Sequence, residues 1–344
     1  MKPRDPSLSP PRPAPLRLAL ALALALAACD AEPAVAPAGA LCETPWGPAL
    51  DPVPAGATLA FATSGGASVR VGTGPVGATA PDAWRDDGLV PLPAADAPYA
   101  LALFAELTDP RCAADAIAPV TMTLTVAPDF APSAAAPDLA PIAAADPRVV
   151  AWATAVPAFR PGRDVDARWR DPAQALGPPG TDPLAVTTLG NGGSLTLAFA
   201  RPLADGPGPD LAIFENALDA DGFLELARVE VSTDGRAFAA FDAAYLGDAP
   251  IPAFGHQEAR LLHGLAGKYP LGYGTPFDLA LLRFHPAVQS GAVDLDLVRF
   301  VRVVDVIGDG RERDAFGRPI YDPTPTKGSG GFDLDAVAVL HEAP

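Results

Sequence analysis

Leu226-Ala-Arg-Val-Glu-Val-Ser-Thr-Asp-Gly-Arg-Ala-Phe-Ala-Ala-Phe241 decides the fold. Val229 and Val231 alternate with Arg228 and Glu230, the period of two expected of a strand with one buried face. Asp234-Gly235 supplies a tight turn, and Phe238–Phe241 returns as the second strand of a hairpin. A lone hairpin is marginal in water, so it needs neighbours. They are legible on both sides. Ser194–Ala200 places Leu195, Leu197 and Phe199 on one face, and Leu211–Glu215 is a short apolar strand. Val298–Ile307 is apolar except at Arg299, Arg302 and Asp305, which predicts a strand covered over much of both faces. Phe332–Leu340 is the last strand. Helical patterning is confined to the surroundings of Ala259–Leu265; His256 and His263, seven apart in the segment 255–263, would share a face of such a helix. The chain of 344 residues carries 42 Pro and 32 Gly. Each Pro inside a helix costs roughly 3 kcal/mol, so long helices are disfavoured. The expected fold is all-β, with residues 147–344 forming a jelly-roll sandwich.

Upstream, Val120, Met122, Leu124 and Val126 alternate with Thr121, Thr123 and Thr125. With strand candidates at Thr58–Thr63, Ser68–Gly72 and Tyr99–Leu107, this predicts a small immunoglobulin-like sandwich over residues 42–127. Residues 128–146 hold repeated Pro and Ala and read as a semi-extended linker. The N-terminus reads as an address. Lys2, Arg4, Arg12 and Arg17 precede a Leu/Ala run, Leu18–Ala28, too short for the ~20 residues of a membrane span. Residues 1–28 are therefore expected to be a signal peptide. Leu26-Ala27-Ala28-Cys29 resembles a bacterial lipobox, which implies cleavage before Cys29 and a lipid on it, with residues 29–41 as a tether. If Cys29 is acylated, Cys42 and Cys112 remain, either as one disulfide of an exported protein or as two separate thiols.

Two resemblances add to this reading. Val229-Glu-Val-Ser-Thr-Asp-Gly-Arg-Ala-Phe238 resembles the hairpin of discoidin-like, galactose-binding-type jelly rolls. Gly264–Asp278, Gly308–Asp314 and Tyr321–Ala336 resemble segments of a family of bacterial cell-surface proteins, many of them lipoproteins, with no activity to carry over. The resemblance implies a lipid-anchored envelope protein, at the outer membrane or cell surface rather than the inner membrane.

The formal charge is −17, from 41 acids against 24 bases, so the phosphate term opposes nucleic-acid binding. With 4 His and 3 Cys, no CxxC…CxxC or HExxH zinc site can be assembled. The chemistry worth weighing lies in Gly-punctuated acids: Glu215, Asp219 and Asp221; Asp305, Asp309 and Asp314; and Asp333 with Asp335. Ca²⁺ takes about six to eight oxygens, often from such loops. Neither loop is an EF-hand, because Ala217, Arg228, Ile307 and Phe316 stand where ligands are required. Simple alternation puts Asp333 and Asp335 on the face of Val337 and Val339. Buried carboxylates there need a cation, backbone donors, an Arg such as Arg299, Arg302 or Arg313, or a β-bulge that turns one outward. Lys268, Tyr269 and Tyr273 lie in a Gly/Pro-rich loop and are candidate sugar contacts, the alternative being that packed Tyr side chains anchor the loop. No catalytic constellation stands out. The expected function is glycan or surface-component binding, with Ca²⁺ as a structural ion and the membrane reached through the lipid. The alternative is a glycoside hydrolase using Glu215 and Glu225.

Overall fold

The computed structural model describes residues 50–61, 68–108, 120–217 and 222–344. Cys29, Cys42 and Cys112, with the signal and tether, lie outside the described residues, as do Asp219 and Asp221. The described chain is all-β. Its helical content is short 3-10 turns and one four-residue α-helix, Pro286–Gln289. Among the described residues no helix is long and apolar enough to cross a membrane.

The first unit contains β1 (Val53–Pro54), β2 (Thr58–Ala60), β3 (Ser68–Gly74), β4 (Leu89–Pro91), β5 (Tyr99–Thr108) and β6 (Val120–Ala127). Four of them form a sheet in the order β1-β6-β5-β3, and β2 pairs with β4 as a separate ribbon. The Thr alternation does what its period predicts. Leu124 and Val126 are buried while Thr121 and Thr123 are exposed, and Leu124 stands across from Leu101.

The second unit is a two-sheet sandwich. Its strands are β7 (Ile142–Ala143), β8 (Ala151–Trp152), β9 (Ala155–Arg160), β10 (Thr187–Thr188), β11 (Ser194–Leu203), β12 (Leu211–Glu215), β13 (Ala227–Ser232) and β14 (Ala239–Ala240). They continue with β15 (Ala244–Tyr245), β16 (Leu262–His263), β17 (Tyr273–Phe277), β18 (Val298–Asp305), β19 (Asp309–Arg313), β20 (Pro319–Tyr321) and β21 (Asp333–Val339). One sheet runs β10-β21-β12-β17-β7, with β8 also on β21; the other runs β14-β13-β18-β11-β9. Leu195, Val229 and Val303 lie in one row, and Leu197, Val231 and Val301 in the next. These rows meet Leu211, Ile213, Val337 and Val339 of the facing sheet in a shared core. At about 25 cal/mol per Å² of apolar surface removed from water, this interface is the main stabilising contribution.

Several local expectations change. β18 is not covered equally on both faces: Val298, Val301 and Val303 are buried, whereas Arg299 is exposed and Arg302 half-buried. Arg302 pairs with Glu230 across the ladder and lies 3.7 Å over the Phe238 ring. No helix carries His256 and His263. A 3-10 turn at Ala259–Leu261 leads into β16, and the buried His263 ring sits 5.2 Å from that of Phe130. Residues 128–146 are packed down rather than extended. Phe130 and Leu139 enter the core of the first unit, and Ile142 and Ala143 pair with Gly274 and Tyr273 at the edge of the second. Ala244 also joins the first unit's core.

Candidate functional site

Antiparallel pairing brings the ends of β12 and β18 and the starts of β13 and β21 to one end of the sandwich. That end carries the acids. Glu215 closes β12, Asp305 closes β18 across from Ala227, and Glu225 lies just before β13. Asp322 follows β20, with its amide donating to Gly308 O at 3.2 Å. Glu215, Glu225 and Asp322 are 2–3% exposed.

Asp333 and Asp335 reach this region by a route that alternation does not show. The β12–β21 register shifts between Phe214 and Glu215, so β21 carries one extra residue around Asp335. Leu334, Val337 and Val339 face the sandwich core, while Ala336 and Ala338 face the other side. Simple alternation, which puts the two Asp on the face of Val337 and Val339, thus gives way to the β-bulge alternative. Asp335 is buried, and its Oδ1 accepts from Gly180 N at 3.1 Å while Oδ2 has no partner. Asp333 is half-buried and accepts from the Thr188 hydroxyl and the Asn216 side chain.

Burial dominates the electrostatics. Desolvation, then repulsion from neighbouring carboxylates, raises Glu215, Glu225 and Asp322 well above the usual carboxylate range. Desolvation pushes Asp305 up to about 7 and Asp333 and Asp335 to about 6, partly offset by the hydrogen bonds each accepts. Asp305 is well held. Its Oδ1 accepts from Phe332 N and its Oδ2 from Gly192 N, both at 2.7 Å, which ties the Gly190–Gly193 turn to the segment before β21. Among the described residues, no Arg or Lys forms an ion pair with Glu215, Glu225, Asp305, Asp322, Asp333 or Asp335.

An open cleft of about 270 Å³ lies over part of this cluster. Trp169, Leu184, Phe223 and Phe254 line it together with Asn216, Glu225 and Asp333, and Lys327 is exposed at its rim. Phe254 is 72% exposed and its ring stacks at 5.9 Å on that of Phe223. The Trp169 indole N–H is buried without a hydrogen-bond partner.

Other expected site residues lie elsewhere. Asp309 is exposed and accepts from Arg311 N within its own turn. Asp314 is buried but committed to the backbone: Oδ1 accepts from Phe316 N and Arg318 N, and Oδ2 from Tyr245 N. Both are corrections to the metal set, since an Asp that caps its own turn spends its lone pairs there. Lys268 and Tyr269 are not surface contacts either, being 3% and 8% exposed. Lys268 Nζ donates to Phe130 O at 2.6 Å, and the Tyr269 hydroxyl donates to Leu139 O. Docking of the 128–146 segment covers them. Tyr273 alone of the three stays open, at 45% exposed.

Lys268 gives a pH prediction. Desolvation lowers its amine to about 7, with Asp129 opposing. Around it lie Asp129, His263 and the Tyr269 ring at 5.7 Å. Above pH 7 the unfolded chain holds this proton and the folded chain has lost it, so stability from this group rises with pH. The expected slope between pH 7 and 9 is on the order of 1 kcal/mol per pH unit. Lys268→Met is expected to flatten it. Urea melts at pH 7, 8 and 9 check this; parallel slopes for the two proteins would contradict it.

Sequence reasoning missed Asp322, Trp169, Phe223 and Phe254 as site residues; Glu225 it placed at the end of the first acidic stretch and as a possible acid/base partner. It also missed Asp205, Asp210 and Asp278, whose oxygens lie within 4.8 Å of one another at the other end of β12. Asp210 there accepts from Gly206 N, Leu279 N and His341 Nδ1, and Asp278 accepts from Ala280 N. Those bonds account for Asp210 and Asp278 as a structural corner, with Asp205 exposed beside them.

No protein-family model matches the chain, and no curated protein matches it. Among solved structures, the chain is similar to a protein described as "SusE-like protein BT2857", at 10% identity and a TM-score of 0.28, over 86% of this chain and 95% of that one. So loose a superposition carries neither residues nor function across.

Proposed function

We propose that the chain is an exported, lipid-anchored cell-envelope protein whose second sandwich binds a glycan without acting on it. The observation that carries the binding reading is the cleft: three aromatic side chains stand beside two carboxylates and an amide, with an indole N–H that has no internal partner. An amphipathic ring pairs apolar contact with directed polar groups, which suits a sugar's apolar faces and hydroxyls. The lipobox-like Leu26–Cys29 supports anchoring through Cys29, and export supports a Cys42–Cys112 disulfide. The hydrolase reading has less support. Glu225 and Asp333 line the cleft, whereas Glu215, the other half of the expected pair, is buried behind it.

The test is a glycan-array screen of the mature full chain, followed by calorimetry on the best binder. Trp169→Ala and Phe254→Ala are each expected to weaken binding by at least about tenfold, or roughly 1.4 kcal/mol. In cells, Cys29→Ala is expected to release the protein from the membrane fraction. A binder unaffected by both cleft variants, or one that is hydrolysed, would overturn the reading.

A further inference from the structure

We propose that a Ca²⁺ ion binds behind the cleft, among the carboxylates of Glu215, Glu225 and Asp322, with Asp305 and Asp333 flanking it. All three central carboxylates are buried. Glu215 Oε2 and Asp322 Oδ1 have no hydrogen-bond partner, although almost no solvent reaches them. A buried acceptor left unmade is costly, and a buried carboxylate facing other carboxylates more so. The partners that would otherwise answer this cost lie elsewhere. Arg302 is paired with Glu230, Arg299 and Arg313 are exposed, and Lys327 is exposed at the cleft rim.

The donor chemistry is all hard oxygen, which selects Ca²⁺ or Mg²⁺ over thiolate- and imidazole-seeking metals. Three carboxylates from three separate segments, each buried and repelled by neighbouring acids, give an irregular donor set. Ca²⁺ tolerates that, with ligands at about 2.3–2.6 Å, whereas Mg²⁺ demands a near-ideal octahedron. These oxygens are not gathered as closely as those of Asp205, Asp210 and Asp278. Binding therefore includes a side-chain closure of mutually repelling carboxylates onto the ion. The Asp210 trio is the weaker site despite its tighter spacing, because backbone and His341 donors already occupy it.

The experiment uses the mature full chain stripped with EGTA, with no sugar present, so its outcome is separate from that of the glycan screen. Calorimetric titration with CaCl₂ is expected to show saturable binding, and Ca²⁺ to raise Tm by several degrees, with a smaller rise from Mg²⁺. Glu215→Gln/Asp322→Asn is expected to abolish the Ca²⁺-dependent shift while keeping or raising Tm in EGTA, since it removes buried like charge. If that double variant does not fold, Glu225→Gln serves, with an expected loss of affinity of at least about tenfold. The proposal is overturned if stripped wild-type protein binds no Ca²⁺. It is equally overturned if Ca²⁺ binds these variants as it binds the wild type, or if binding is lost in Asp205→Asn/Asp278→Asn instead.

Discussion

Asp314→Ala is expected to destabilise the protein by about 3–5 kcal/mol, because one buried carboxylate holds three backbone amides and nothing replaces it. Tyr245 N is the costliest of the three to orphan, since Tyr245 is itself fully enclosed in an apolar cluster. Arg318 adds a charge contact at 3.6 Å. Asp314→Asn keeps the oxygen facing Phe316 N and Arg318 N but puts a donor opposite Tyr245 N, so an intermediate loss is expected. Urea denaturation of the three proteins checks the order. An alanine variant as stable as wild type would show that the hairpin β19–β20 is held by other contacts.

Phe332→Ala is expected to cost about 3–5 kcal/mol, the usual range for emptying a fully buried aromatic site. For a folded unit of this size that is a fall in Tm of about 2–4 °C per kcal/mol. The backbone around Phe332 is fixed at both ends: its amide donates to Asp305, and its carbonyl accepts from Leu189 N. The chain cannot easily collapse into the space left, and the ring also packs close to Gly267, whose backbone runs so near Glu225 O that no side chain fits there. A cavity opened here sits next to the acid cluster. Phe332→Leu is expected to lose much less. Differential scanning calorimetry measures both, and a fall of less than a degree for the alanine variant would contradict the prediction.

The sandwich was legible wherever its causes are local. The Val229/Val231 alternation and the Asp234-Gly235 turn sit within a few residues of each other. The structure bears them out, with Asp234 accepting from Arg236 N and Ala237 N and Gly235 at φ 73°. The acid-rich end was half legible. Glu215, Asp305 and Asp333 stand out as charged residues closing or opening apolar strands. Asp322 does not, flanked by Tyr321 and Pro323 in a loop with no period. The orientation of Asp333 and Asp335 was left among alternatives, of which the β-bulge holds, because a bulge belongs to the pairing of β12 with β21, not to β21 alone. Lys268 was misread as a surface contact, and Tyr269 is the packed loop anchor rather than a sugar contact, for a related reason. Their partners, the carbonyls of Phe130 and Leu139, come from a segment whose Pro/Ala composition resembles a spacer. Composition registers stiffness but not the few apolar residues that dock.

That docking also settles where the molecule can be divided. Phe130, Leu139 and Ile142 finish two cores at once, and Ala244 crosses from the second unit into the first. A cut near residue 147 would leave open cavities on one fragment and loose apolar residues on the other. It would also strip the Lys268 amine and the Tyr269 hydroxyl of their acceptors. The seam between the two units is thus a cooperative joint, whose residues are lost to both sides together when either melts.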